Sequence, residues 1–138
     1  MTIPIYATIV GALLIILQAL LMVAVGSHRV KSGVNLGLGD DPSLERKIRR
    51  HGNLAENAAL FVVVLALAEM TFVPITVVKI IALLFVIARF SHAIALSTEA
   101  GAQGAAGGKI FVAMRVIGAM GTLISFLALG GFILYGLL

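Results

Sequence analysis

The stretch LERKIRRHGNLAENAALF, from Leu44 to Phe61, holds Arg46, Lys47, Arg49 and Arg50 at its start. It then passes through Asn53, Glu56 and Asn57 into an apolar run. On a helix turning about 100° per residue, Arg46, Arg49, Arg50, Asn53, Glu56 and Asn57 share roughly a third of the circumference. His51 lies well off that arc. Arg46 is three and four residues from Arg49 and Arg50, a spacing at which like charges repel. Only Glu45 is close enough in sequence to offset them. The chemistry this stripe suits is the holding of an anion brought from elsewhere.

Two later segments carry related groups. Arg89 and His92 share a helix face, with Leu96 and Glu99 further along it. Arg115 heads a small-polar face of Gly118, Thr122 and Ser125. If these faces meet the first stripe, they line an interfacial cleft with several Arg, one Asn and one Glu. Polar side chains at membrane depth are costly and are expected to face a bundle interior or a wet cleft.

The elements that must position these residues are membrane spans. Of 138 residues, 61% are hydrophobic and 12% charged, and the mean hydropathy is +1.15. A soluble domain is about a quarter charged. Four apolar spans are expected, at about residues 3–25, 44–73, 75–96 and 110–138, within one domain covering 1–138. Asp41 followed by Pro42 fits an N-cap and first helical position, and Pro74 separates the second and third spans. A signal peptide is the rival reading of the first span. No Lys or Arg precedes that span, and it exceeds a typical signal core. The expected fold is all-α, an integral membrane four-helix up-and-down bundle.

The net charge is +4. The cations cluster beside apolar spans without interleaved aromatics, and there is no Trp, so anionic headgroups or an anionic ligand fit better than nucleic acid. There is no cysteine, which removes disulfides, thiol nucleophiles and thiolate metal sites. Arg29, Lys31, Arg46, Lys47, Arg49 and Arg50 surround the first loop, and Arg89, Lys109 and Arg115 flank the third, whereas the second has only Lys79 nearby. Loops one and three are therefore expected in the cytoplasm, with both termini outside.

Plainer roles compete for several residues. Arg29, Lys31, Lys47, Lys79 and Lys109 read as topology anchors that snorkel to headgroups. Glu56 could pair structurally with Arg49 or Arg115, and His92 could be a satisfied bundle histidine. His28 and His51 show no partners in sequence, and no metal site is expected. Gln18 reads as a helix-contact residue and Glu69 as an exposed carboxylate. Gly118, Gly121, Gly130 and Gly131 read as positions of close helix packing. The segment GAQGAAGG lacks the Gly-Lys-Ser/Thr ending and the strand of a phosphate loop.

Glu45, Arg46, Arg49, Asn53 and Glu56 form the pattern E-R-x-x-R-x-x-x-N-x-x-E. This resembles the second-helix signature of the MAPEG family, membrane-associated proteins in eicosanoid and glutathione metabolism. The resemblance covers the whole chain: four spans, a basic first loop, Arg89 and His92 in the third span, and Arg115 opening the fourth. It implies a bundle that trimerises and binds glutathione between neighbouring subunits near the cytoplasmic side. It assigns Arg49, Asn53 and Glu56 to the tripeptide, with His92, Arg46 and Arg89 as further ligand contacts. Arg forks suit the two carboxylates and a Glu suits the ammonium. Arg115 matches the fourth-helix Arg that stabilises the thiolate in the family's synthases. The thiolate would attack a lipophilic electrophile arriving through the bilayer.

The chain departs from the synthases at Leu96 and Ala119, where they carry aromatic hydroxyls, and at Arg50 and Gly52. It looks most like short bacterial members, which implies a bacterial inner membrane. The expected activity is glutathione transfer to, or glutathione reduction of, lipophilic electrophiles. A non-catalytic lipid- or partner-binding protein is the alternative and a small transporter the third, although exporters of this size rely on a carboxylate in the first span that is absent here.

The orientation is testable because the chain has no native cysteine. A Ser32→Cys variant should react with an impermeant maleimide from the cytoplasmic side only. Labelling from outside would overturn the assignment.

Overall fold

The computed structural model describes residues 3–101 and 108–138. Four helices account for most of them: α1 (Ile5–Ser32), α2 (Pro42–Met70), α3 (Ile75–Ala95) and α4 (Lys109–Leu137), with a short 3-10 turn at Glu99–Gly101. All four are long and apolar enough to cross a membrane. The bundle is all-α, and no strand occurs among the described residues.

The helix boundaries have local causes. Helix α1 runs past its apolar stretch and stops at Gly33, whose φ of 71° is the left-handed C-cap that glycine adopts without strain. Asp41 caps α2 as expected, its Oδ1 accepting from the Ser43 and Leu44 amides at 2.9 and 3.0 Å, with Pro42 in the first turn. Pro74 cannot continue α2 and disfavours helix at the preceding residue, so α3 restarts after it.

The first loop is tied down by residues that looked unpartnered in sequence. His28 Nε2 meets Asp41 Oδ2 at 2.7 Å, and Lys47 Nζ donates to His28 Nδ1 at 2.8 Å. That donation leaves the His28 proton on Nε2, facing Asp41. The hydrogen bonds from His28 and the Leu44 amide hold the Asp41 carboxyl below its ordinary value of 3.8. A depressed acid contributes stability above its unfolded value and loses it as pH falls through the folded one. The Asp41 carboxylate is therefore charged, and its contribution in place, at neutral pH. His51 likewise has a partner, Gln18 at 2.7 Å, which joins α1 to α2.

Helices α1 and α2 form one close pair, and α3 and α4 the other. Helix α3 is the most enclosed span and touches all three others, while α2 and α4 meet only sparsely. The α3/α4 approach depends on two glycines. A Cβ at Gly118 would lie 2.6 Å from His92 Cβ, and one at Gly121 would lie 2.8 Å from Ala88 Cβ. Gly130 and Gly131, expected to serve the same end, meet nothing within 4 Å. Phe61, Phe85 and Phe126 stack across α2, α3 and α4, with centroids 3.6 Å apart for the first pair. Such pairs add about 0.5–1.5 kcal/mol beyond their area burial.

Glu69 corrects the expectation of an exposed carboxylate. Its two oxygens accept from the Tyr6 and Ala7 amides, each at 2.9 Å. Pro4 at the N-cap of α1 offers no side-chain acceptor, so Glu69 supplies the missing cap from the end of α2. The free N–H groups and the helix dipole both favour an anion there. Lys79 lies over the Tyr6 ring at the same end, 5.1 Å from its centroid. Glu69→Ala should destabilise the bundle by about 1–3 kcal/mol, as expected for charged hydrogen bonds left unmade. A circular-dichroism melt in detergent with an unchanged midpoint would sink this account.

Candidate functional site

At the end of the bundle where α2 and α4 begin and α3 ends, side chains from all three helices line a cleft of about 470 Å³. Helix α2 contributes Pro42, Glu45, Arg46, Arg49 and Asn53, α3 contributes His92 with Leu96 just past its end, and α4 contributes Arg115. The capped start of α2 sets the stripe's register, and the Gly118 contact brings α4 against His92. Arg46, Arg49, Asn53, His92 and Arg115, all singled out in sequence, thus meet in one cavity.

The cluster's charge is partly offset from within. Arg49 Nε lies 3.8 Å from Glu45 Oε1 on the exposed side of α2. Arg46 Nη2 donates to Glu99 Oε1 at 3.1 Å. Glu99 is 81% exposed, so this pair sits at the lip of the cleft and is worth about 0–1 kcal/mol. Sequence placed Glu99 on the His92 face. Because α3 ends at Ala95, the 3-10 turn swings Glu99 across to α2 instead. The positive charges of Arg89 and Arg115 both bear on the His92 ring. The site is built to receive negative charge.

Two expected members lie apart from the cleft wall. Glu56 is exposed on α2 and makes neither of the intrachain pairs considered for it, with Arg49 or with Arg115. Arg89 is 3% exposed and acts as a staple. Its Nη1 donates to Asn53 Oδ1 at 2.7 Å, and its Nη2 donates to the Gly118 carbonyl at 2.9 Å and to the Thr122 hydroxyl. Its guanidinium lies 5.6 Å from the Phe85 ring centroid. Among the described residues no carboxylate pairs with it. Arg50 is half-buried, with its Nε unpartnered. Of the GAQGAAGG segment, residues 102–107 lie outside the described residues.

Sequence reasoning missed what lies below. A second chamber of about 300 Å³ adjoins the cleft, sharing Asn53 and His92 with it. Asn57, Arg89 and Thr122 form its polar wall, and Ala119, Leu123 and Phe126 its apolar one. The signal was present in the Asn53/Asn57 spacing and in Ala119, where a larger side chain would intrude.

Compared with known proteins, residues 7–135 match the model of the MAPEG family. No curated protein matches the chain.

The staple and the cleft wall differ in what their loss should do. Arg89→Met leaves the Asn53 acceptor unmatched inside the bundle and should cost about 1–3 kcal/mol of stability. Arg49→Met removes an exposed side chain and should stay within about 0.5 kcal/mol of the parent. Equal shifts in the two thermal midpoints would sink the distinction.

Proposed function

Because the chain belongs to the MAPEG family, a family of membrane proteins in glutathione and eicosanoid metabolism, we propose that it binds glutathione in the cationic cleft and transfers it to lipophilic electrophiles. The observation that carries this reading is the convergence of Arg46, Arg49, Asn53, His92 and Arg115 from three helices on one cavity. Glutathione offers two carboxylates, an ammonium and a thiol. Arg46 and Arg49 suit the carboxylates through bidentate forks, and Asn53 can both donate and accept. Arg115, across the cleft on α4, would stabilise the thiolate, so that the sulfur attacks while its proton leaves to solvent. Use of the same thiolate to reduce an electrophile is the related outcome.

The ammonium needs an acid. Glu45 lines the cleft, while Glu56 faces outward from an apolar part of α2. A carboxylate exposed at that depth is costly unless a neighbour pairs with it. An α1/α2 groove of about 720 Å³, half of whose lining residues are Ala or Gly, could admit a neighbouring helix. Both features support a homotrimer in which Glu56 completes the cleft of the adjacent copy. Residues 1–138 then act as a single membrane domain, with the cleft on the cytoplasmic side of a bacterial inner membrane.

One observation favours a non-catalytic variant of this reading. Leu96 lines the cleft and Ala119 the chamber below, so neither supplies the hydroxyl of the synthases.

The test is a glutathione isotherm on the intact trimer in mild detergent, with assembly confirmed by native mass spectrometry. Removing one partner of a buried charged pair costs on the order of 2–5 kcal/mol. Arg49→Ala and Glu56→Gln should therefore weaken binding at least about tenfold. Lys79→Ala, at the Tyr6 end, should bind as the parent does. Arg115→Ala should lower turnover more than affinity. Normal assembly with parental affinity in both Arg49→Ala and Glu56→Gln would make the stripe structural and defeat the proposal.

A further inference from the structure

Asn53 and His92 are common to the linings of the cleft and of the chamber beneath it. The cleft side carries Glu45, Arg46, Arg49 and Arg115, and the chamber side has Ala119, Leu123 and Phe126 as its apolar wall. A nucleophile held among the charges, meeting an electrophile from the apolar side, must sit at this junction. What the junction offers it is set by Arg89.

A guanidinium donates and cannot accept. The Asn53 side-chain atom 2.7 Å from Arg89 Nη1 is therefore the carbonyl oxygen, a case where the partner settles which way an amide is turned. The Asn53 main-chain carbonyl accepts from the same Nη1 at 3.4 Å and from Asn57 Nδ2 at 2.7 Å. The amide is thus pinned at its acceptor end, and Nδ2 is left over. This nitrogen has no hydrogen-bond partner among the described residues, and it is not sealed among packed atoms. Asn53 therefore presents a donor to the junction.

Arg89 cannot take that place itself. Its Nη atoms are committed to Asn53, Gly118 and Thr122, and its Nε is buried out of reach. Its influence on a ligand passes through the amide, which it polarises and turns outward.

We propose that Arg89 is a positioning residue, fixing the Asn53 amide so that Nδ2 donates to the sulfur of glutathione at the junction of cleft and chamber. This rests on the reading of the cleft as a glutathione site and adds the place of the sulfur within it. When the thiol ionises, its proton leaves to solvent through the cleft. The N–H hydrogen bond then favours the charged sulfur. A carboxylate in place of the amide would pair with Arg89 equally well, yet it would offer the sulfur only negative charge.

The experiment uses the full-length protein in mild detergent, with glutathione and with S-methylglutathione, which lacks only the ionisable thiol. Thiolate formation on the protein is followed by ultraviolet difference absorbance in a pH titration. Asn53→Asp keeps an acceptor for Arg89, so its thermal midpoint should equal or exceed the parent's. Its thiol titration should move up by about one pH unit or more, and the preference for glutathione over S-methylglutathione should fall several-fold. An unchanged titration or an unchanged preference overturns the assignment of the donor to sulfur. Arg89→Gln should also move the titration up, but add little in an Asn53→Ala background, because it acts through the amide. Equal shifts in the two backgrounds overturn the positioning role. A parent that binds neither ligand overturns the cleft reading and this one together. A parent that binds both without favouring the thiolate keeps the cleft and overturns this inference alone.

Discussion

The arrangement depends on one buried cation. Arg89 reaches from α3 to Asn53 on α2 and to Gly118 and Thr122 on α4, so a single guanidinium sets the spacing of the three helices that form the cleft. In a membrane, helices gain little by hiding apolar surface from one another, because lipid is equally apolar. Packing and polar contacts must supply the specificity instead. The fork geometry of arginine suits it to join three partners at fixed angles, as a lysine could not. Directly beneath, Phe61, Phe85 and Phe126 fill the space where the same helices converge. The polar staple and the aromatic stack act on the same three elements, so the cleft above them rests on a packed floor.

The two ends of the bundle handle charge in opposite ways. At the Tyr6 end, Glu69 meets the open N–H groups of α1 and Lys79 lies on an aromatic face. At the cleft end, three arginines and a histidine face one cavity, and two of them, Arg46 and Arg49, pair with Glu99 and Glu45 along its exposed edge. Weak exposed pairs of this kind can be exchanged for a ligand's carboxylates at little cost.

Much of this was legible before the structure. The four spans follow from hydropathy, and the start of α2 from Asp41 and Pro42. The grouping of Arg46, Arg49 and Asn53 follows from helical periodicity, because one face must turn inward. Individual partners were not legible. Glu69 and Tyr6 lie on different helices with no local pattern linking them, and a carboxylate at a helix end looks the same in sequence whether it caps another helix or meets water. Arg89 and Arg115 look alike as lone cations in apolar spans. What separates them is that Gly118 lets α4 close over the Arg89 level, whereas Arg115, nearly a turn nearer the start of α4, opens into the cleft. That difference is one of packing depth, which residue spacing along a single helix does not encode.

The departures from the synthase pattern fit the same geometry. Ala119 leaves open the chamber that a larger aromatic side chain would occupy, and Leu96 places an apolar surface at the cleft where a hydroxyl would stand. Both substitutions remove hydrogen-bonding groups and add apolar room beside cations. Such a site lacks a hydroxyl at these two positions and keeps Arg46, Arg49, Arg115 and Asn53 as its polar groups. Leu96 lines the cleft and Leu123 and Phe126 the chamber beneath it, so apolar surface lies beside the cations at both levels. The cations and the missing hydroxyls thus belong to one arrangement, in which the arginines and Asn53 provide the polar groups of the cleft.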